Sequence, residues 1–353
     1  MRQFFKPKAV IIVAGLITGI LAALLVKWGN PANMGVCVAC FMRDIAGALG
    51  LHRAGVVQYL RPEILGLALG SFVAAFAFRE FRARGGSSPL VRFFLGALVM
   101  IGALVFLGCP IRATLRLAGG DLNGLTGLAG TAVGALAGIF FLRRGYNLGR
   151  AVKQPAATGW IIPLVMVGLL LLVIFQPGFI FFSEQGPGSQ HPALIISLGA
   201  GLLVGFLAQR TRMCFVGAWR DIFILKDGYL LSAMVACFVG ALVFNIILGQ
   251  FHLGFTGQPA AHNNHLWNFM GMVLVGLAAT LVGGCPLRQL ILSGEGDTDA
   301  GVTILGLFAG AAVAHNFGLA SSGAGPSALG PLAVIISLII TICIGLLIKV
   351  RLT

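Results

Sequence analysis

The chain has 353 residues, 58% of them hydrophobic and only 10% charged, with a mean hydropathy of +0.98. So few charges cannot keep a globular surface wet, which excludes an ordinary soluble domain. Its net charge of +14, from 24 Lys and Arg against 10 Asp and Glu, would suggest nucleic acid in a soluble protein, but the placement of the basic residues excludes that partner here.

Apolar runs lie at 9–28, 64–79, 91–107, 124–142, 159–180, 193–208, 228–248, 266–283, 301–319 and 329–349. A bilayer span takes about 20 apolar residues, so these runs give ten candidate spans joined by short connections. The 51 glycines suit close helix packing and broken helices, and the short alternating strands of a β-barrel are missing. The expected fold is an all-α integral membrane protein. The run opening at Ala9 has basic flanks but no small-residue cleavage pattern followed by a polar mature domain, so it reads as the first span and not as a signal peptide. Thirteen basic residues sit in joins: Arg2, Lys6, Lys8; Arg79, Arg82, Arg84, Arg92; Arg143, Arg144, Arg150, Lys153; Lys349 and Arg351. The joins near 181–192, 249–265 and 320–329 carry no Lys or Arg. Threading the chain from a cytoplasmic N-terminus puts every basic join inside and every Lys/Arg-free join outside, with both termini cytoplasmic.

Four segments do not fit as full spans: 31–61, 108–121, 209–226 and 284–298. Each is rich in Gly, Cys and Arg and lies between two spans, which suits re-entrant half-helices facing a cavity; ordinary loops are the alternative. The chain also repeats itself. MGVCVACFMRDI at 34–45 matches TRMCFVGAWRDI at 211–222, and GCPIR at 108–112 matches GCPLR at 284–288. The order-preserving matches indicate duplication: a first repeat over 1–158, a linking span and outer loop over 159–192, and a second repeat with a C-terminal span over 193–353. An odd number of spans between the copies inverts the second, so the tips of the polar segments are expected to meet near the midplane.

The GCPIR/GCPLR pair carries the strongest chemical signal. Proline favours the first helical turn, which would leave Cys109 and Cys285 near helix N-caps, where free N–H groups and the positive dipole end attract an anion. Arg112 and Arg288, three residues on, would add donors facing the same cavity or its mouth. A lone membrane cysteine is most often a small buried hydrophobe, but recurrence at equivalent positions favours a function. Cys37 and Cys214 form a second equivalent pair, and four clustered thiols would line a path with weak, polarizable S–H donors. A thiol ionised at a helix N-terminus would instead be a nucleophile. Cys37 and Cys40 form a CxxC whose second cysteine is replaced by Gly217 in the other copy, leaving Cys40 either an embellishment or a packing residue.

Arg43–Asp44 and Arg220–Asp221 read as ion pairs that fix the half-helices, since unpaired charges at this depth are costly. His52, Arg53, Tyr59, Arg61 and Glu63 would form an outer vestibule or an interfacial loop. His262 and His265 in AAHNNH fit a solvated loop better than a metal trap. Cys237 and Cys343 read as core. No P-loop, no GxGxxG after a strand and no HExxH is found, so neither an enzyme of those kinds nor a bound metal or other cofactor is expected.

At these residues the chain resembles the YeeE/YedE membrane protein family, on RMCF, the two RD dipeptides and the GCPIR/GCPLR pair, over nearly its whole length. The resemblance implies inverted repeats with Cys-centred short helices, a bacterial inner-membrane location, and uptake of a small sulfur species. In thiosulfate importers of the family three thiols pass the anion across; the matching positions are Cys109, Cys214 and Cys285. The stretch NMGVCVACFMRDIAGALGLHRAGVVQYLRPEI is more similar to the YedE branch, associated with selenium metabolism, and Cys37 and Cys40 depart from the thiosulfate pattern. A small cytoplasmic TusA-like sulfur carrier is the implied partner. The expected function is import of a small selenium- or sulfur-containing species along Cys37, Cys109, Cys214 and Cys285, with Arg112 and Arg288 as attractors. The alternatives are a thiol–disulfide oxidoreductase using Cys37 and Cys40, a thiosulfate importer proper, or a scaffold for the carrier.

Overall fold

The computed structural model describes residues 8–349; Arg2, Lys6 and Arg351 lie outside the described residues. The first part of the chain forms α1 (Lys8–Lys27), α2 (Val38–Ala48), α3 (Pro62–Ala77), α4 (Pro89–Phe106), α5 (Pro110–Ala118) and α6 (Asn123–Arg143). Helix α7 (Ala156–Phe175) follows, and then α8 (Leu194–Thr211), α9 (Phe215–Leu225), α10 (Tyr229–Ile247), α11 (His265–Val282), α12 (Pro286–Gly294), α13 (Thr298–Asn316) and α14 (Gly330–Leu347). The protein is an all-α membrane protein. Among the described residues nine helical stretches are long and apolar enough to cross a bilayer, and α3, at 16 residues, is shorter. Ten long helices thus stand where the ten apolar runs lie, and α2, α5, α9 and α12 occupy the four polar segments.

The bundle is held by four side-by-side pairs, α1 with α10, α3 with α8, α4 with α13 and α6 with α11. Each runs parallel: Gly201 meets Glu63 while Gly205 meets Leu67, and Gly306 meets Phe93 while Gly310 meets Ala97. Apolar lipid gives no hydrophobic drive for such pairing, so close van der Waals approach must supply it. A Cβ on Gly66 would lie 2.6 Å from the Leu198 carbonyl oxygen, and one on Gly240 would lie 2.6 Å from that of Leu16. The high glycine content is what lets these backbones touch.

Two chemically unlike faces result. On one, the two-residue strand β1 (Arg84–Gly85) pairs antiparallel with β2 (Val152–Lys153), Asn147 bridges to Lys349, and Arg84 reaches Asp297 at 2.7 Å and Glu295 at 3.3 Å. Arg210 joins this face through Glu80 at 3.1 Å. On the other, the His252 N–H donates to the Gly119 carbonyl at 2.9 Å, Ser183 N–H to Gln58 at 2.8 Å and Ser321 N–H to Leu104 at 3.1 Å. The Lys/Arg-rich joins therefore share one face and the Lys/Arg-free joins the other. Between them, the bundle surface is apolar, with Leu164, Ile174, Leu332 and Ile339 of α7 and α14 facing outward.

Candidate functional site

Each short helix starts on a cysteine. Cys37 is the N-cap of α2 and its sulfur accepts the Cys40 N–H at 3.4 Å; Cys214 caps α9 and accepts the Gly217 N–H at 3.2 Å. Cys109 and Cys285 stand at the N-caps of α5 and α12, with Pro110 and Pro286 at the first helical position. Proline costs nothing there, because its missing N–H would have had no helical partner. The sulfurs come together in two pairs, Cys37 with Cys109 at 3.9 Å and Cys214 with Cys285 at 3.7 Å. The Cys285 N–H also donates to the Cys214 sulfur at 3.4 Å. All four are free thiols buried in the bundle. Across the pairs α2 touches α12 and α5 touches α9. Two N-caps meeting at each pair point backbone N–H groups, some of which the sulfurs accept, and the positive ends of two short helices at one spot, which suits an anion.

The remaining sequence-predicted residues separate into different surroundings. Arg112 is fully buried and its donors are engaged: Nε with the Asn33 carbonyl at 3.0 Å, Nη2 with that of Ala260 at 3.0 Å, and Nη1 with the Leu107 carbonyl and, at 3.1 Å, the Cys40 sulfur. It ties α5 to two joins of the Lys/Arg-free face. Cys40 is a free thiol whose sulfur meets both Arg112 and the Cys37 side chain. Arg288 instead makes one ion pair, to Glu295 at 3.2 Å, and borders a cavity of about 270 Å³ with Cys214, Arg212, Arg220, Asp221 and Tyr229. A cavity of about 320 Å³ on the opposite face, between the joins that hold Asn33, His252 and Gln258, has no cysteine in its lining.

The two Arg–Asp dipeptides also differ. Arg43 pairs with Asp44 at 2.6 Å with the side chains 4% and 0% exposed, and Arg61 reaches the other Asp44 oxygen at 2.7 Å. Arg220 pairs with Asp221 at 2.8 Å with 33% and 17% exposure. His52, Tyr59, Arg61 and Glu63 are buried while Arg53 is exposed. They form a closed layer instead of an open vestibule or interfacial loop, because Arg61 donates to the Pro187 and Gln190 carbonyls (the latter at 2.8 Å) and to Asn30 at 3.2 Å, pulling the join 181–192 over α2. His262 is buried rather than solvated: its Nε2–H donates to the Val105 carbonyl at 2.8 Å and its Nδ1 accepts the Asn264 N–H at 3.3 Å, whereas His265 is exposed. Cys237 is buried, but Cys343 is exposed on α14 and is not core.

Sequence reasoning missed Arg116–Asp121, a fully buried pair at 2.6 Å, and the Glu295 and Asp297 contacts with Arg84. The signal was present, since the GCPIR match extends to LAGGD at 117–121 and LSGEGD at 292–297, each ending on an aspartate.

The fold and these Cys-capped short helices define a multi-pass membrane protein built to present thiols within the bundle. A family profile described as Sulphur transport matches residues 210–346. A thiosulfate transporter TsuA from Spirochaeta thermophila (strain ATCC 700085 / DSM 6578 / Z-1203) is 36% identical over 104 residues, 28% of this chain and 31% of the relative. A second thiosulfate transporter TsuA, from Escherichia coli (strain K12), is 31% identical over 105 residues, 29% of each chain. The chain therefore spans under a third of the length of either relative. Over residues 210–346 the chain is thus similar to the Sulphur transport family, and over about a hundred residues to two of its thiosulfate transporters.

Proposed function

We propose that this protein imports a small selenium- or sulfur-containing anion across the bacterial inner membrane, with the two thiol pairs as its path. The substrate meets Cys37 and Cys109 from the Lys/Arg-free face and passes to Cys214 and Cys285, which lie toward the basic, cytoplasmic face. The observation that carries this reading is the pairing of four N-cap thiols at 3.9 and 3.7 Å on four short helices that touch across the pairs. S–H groups are weak donors, so they contact a soft sulfur or selenium atom without holding it, and weak binding at successive sites favours passage. The helix N-termini offset part of the cost of bringing an anion out of water. The match to sulphur transport and the names of the two relatives support a sulfur-species substrate.

Inverted repeats belong to the same reading. Exchanging α1–α6 with α8–α13 converts the α1–α10 pair into α8–α3 and the α4–α13 pair into α11–α6, while α2 on α13 becomes α9 on α6. Such exchange symmetry is what two oppositely inserted copies would produce. Both termini then lie in the cytoplasm, where a TusA-like carrier would receive the product. An oxidoreductase built on Cys37 and Cys40 has less support, because Cys40 has no counterpart in the second copy, where Gly217 stands, while the Cys37–Cys109 pairing recurs as Cys214–Cys285. The reading is tested by uptake of labelled thiosulfate, selenite and a selenium analogue of thiosulfate into proteoliposomes. Accumulation of one of them above protein-free vesicles names the substrate, and accumulation of none would overturn the proposal.

A further inference from the structure

We infer that the cavity on the basic face is a binding site for a small divalent oxyanion, held by Arg212, Arg220 and Arg288 over the Cys214 thiol. The cavity measures about 270 Å³ and includes these four side chains together with Asp221 and Tyr229 in its lining. The carboxylates around it are engaged, Asp221 with Arg220 at 2.8 Å, Glu295 with Arg288 at 3.2 Å and Arg84 at 3.3 Å, and Asp227 with the Tyr229 N–H at 2.9 Å. The Arg212 guanidinium has no hydrogen-bond or ion-pair partner among the described residues, and the Tyr229 hydroxyl is buried without one. The site therefore holds an excess of guanidinium charge and an unused hydroxyl donor, which calls for a multiply charged anion with several acceptor oxygens.

The backbone at Arg212 points the same way. Its φ is +58°, in the left-handed region where a side chain is strained and glycine is not. The equivalent position in the first copy is Gly35, with φ +50°, so that copy uses the residue the conformation favours. The left-handed C-cap of α8 thus carries an arginine where glycine would fit with less strain, just as other helix ends carry Leu107, Gln176 and Lys226, and here that arginine lines the cavity. The two copies differ accordingly: the first seals its Arg43–Asp44 pair under Arg61, and the second leaves Arg220–Asp221 open to the cavity.

The inference concerns binding alone and stands whether or not the protein transports. The full chain in nanodiscs, which expose both faces, is treated with anionic and cationic methanethiosulfonate reagents of similar size, and labelling of Cys214 and of the sealed Cys37 is followed by mass spectrometry. Cys214 is expected to react faster with the anionic reagent by roughly tenfold or more, and thiosulfate or sulfate is expected to slow that reaction beyond sodium chloride of equal ionic strength. Arg212→Gln should bring the two rates toward equality, and Arg288→Gln should do the same if it folds. Equal rates in the native chain, no protection by either dianion beyond chloride, or an unchanged ratio in Arg212→Gln would each overturn the assignment.

Discussion

The largest fully buried side chains among the described residues are Arg61, Arg112 and Arg116. An arginine shielded from water is tolerated only when its donors are filled and its charge is met. Asp44 meets two at once, Arg43 at 2.6 Å and Arg61 at 2.7 Å. Asp44→Asn would leave two buried guanidinium groups without a counter-charge, and a loss of about 3 to 5 kcal/mol is expected. Asp221→Asn breaks a pair that water reaches, with side chains 33% and 17% exposed, so its loss should stay within about 1 kcal/mol. Thermal unfolding of both variants in one detergent checks the order; a larger loss at Asp221 would contradict the account. The sequence showed Arg43 beside Asp44, but Arg61 lies 17 residues away on another element, and no periodicity links them. Adjacent pairs were legible, and pairs made by tertiary packing were not.

At the scale of elements, α5 and α12 were legible as helices because Pro after Cys marks a helix start, and α2 and α9 because their Cys-centred motif recurs between the two copies. Which thiols would meet was not, because Cys37 and Cys109 are 72 residues apart and their contact depends on how α2 and α5 pack. Gly66 illustrates the packing itself. Gly66→Val would drive a branched side chain into the Leu198 carbonyl and push α3 from α8. A loss of several °C in the unfolding midpoint is expected, whereas Gly168→Ala, with open space around it, should change it little; equal effects would argue against glycine-mediated pairing. The join before α11 is fixed differently, by the neutral His262 ring between Val105 and Asn264. Burial lowers the His262 pKa below the ordinary 6.5, because the charged ring loses water, and a second ring proton would face the Asn264 N–H. The unfolded chain therefore takes up the proton first. The contribution is fully present above pH 6.5 and is lost as pH falls below it. A native midpoint that drops between pH 7 and 5, with a smaller drop in His262→Gln, is the expected result; identical pH profiles would remove His262 from the account.

At the scale of the whole molecule, charge and hydropathy alone set the all-α membrane fold, since ten apolar runs and their basic joins leave few topologies open. Sequence could not show that one thiol pair would border a basic cavity while the other is sealed beneath Arg112 and Arg61, because both copies carry nearly the same motifs. That asymmetry comes from the joins 49–61, 181–192 and 249–264 packing over one side. The central claim is that all four N-cap thiols form one path. Its most direct measurement is uptake of the accepted anion into proteoliposomes holding equal amounts of folded native protein, Cys109→Ala, Cys285→Ala and Cys343→Ala. The account predicts that the first two variants lose uptake to the level of empty vesicles, because each removes one sulfur of a pair, while Cys343→Ala, altered on the lipid-facing surface, keeps the native rate. Native uptake by Cys109→Ala and Cys285→Ala would contradict it.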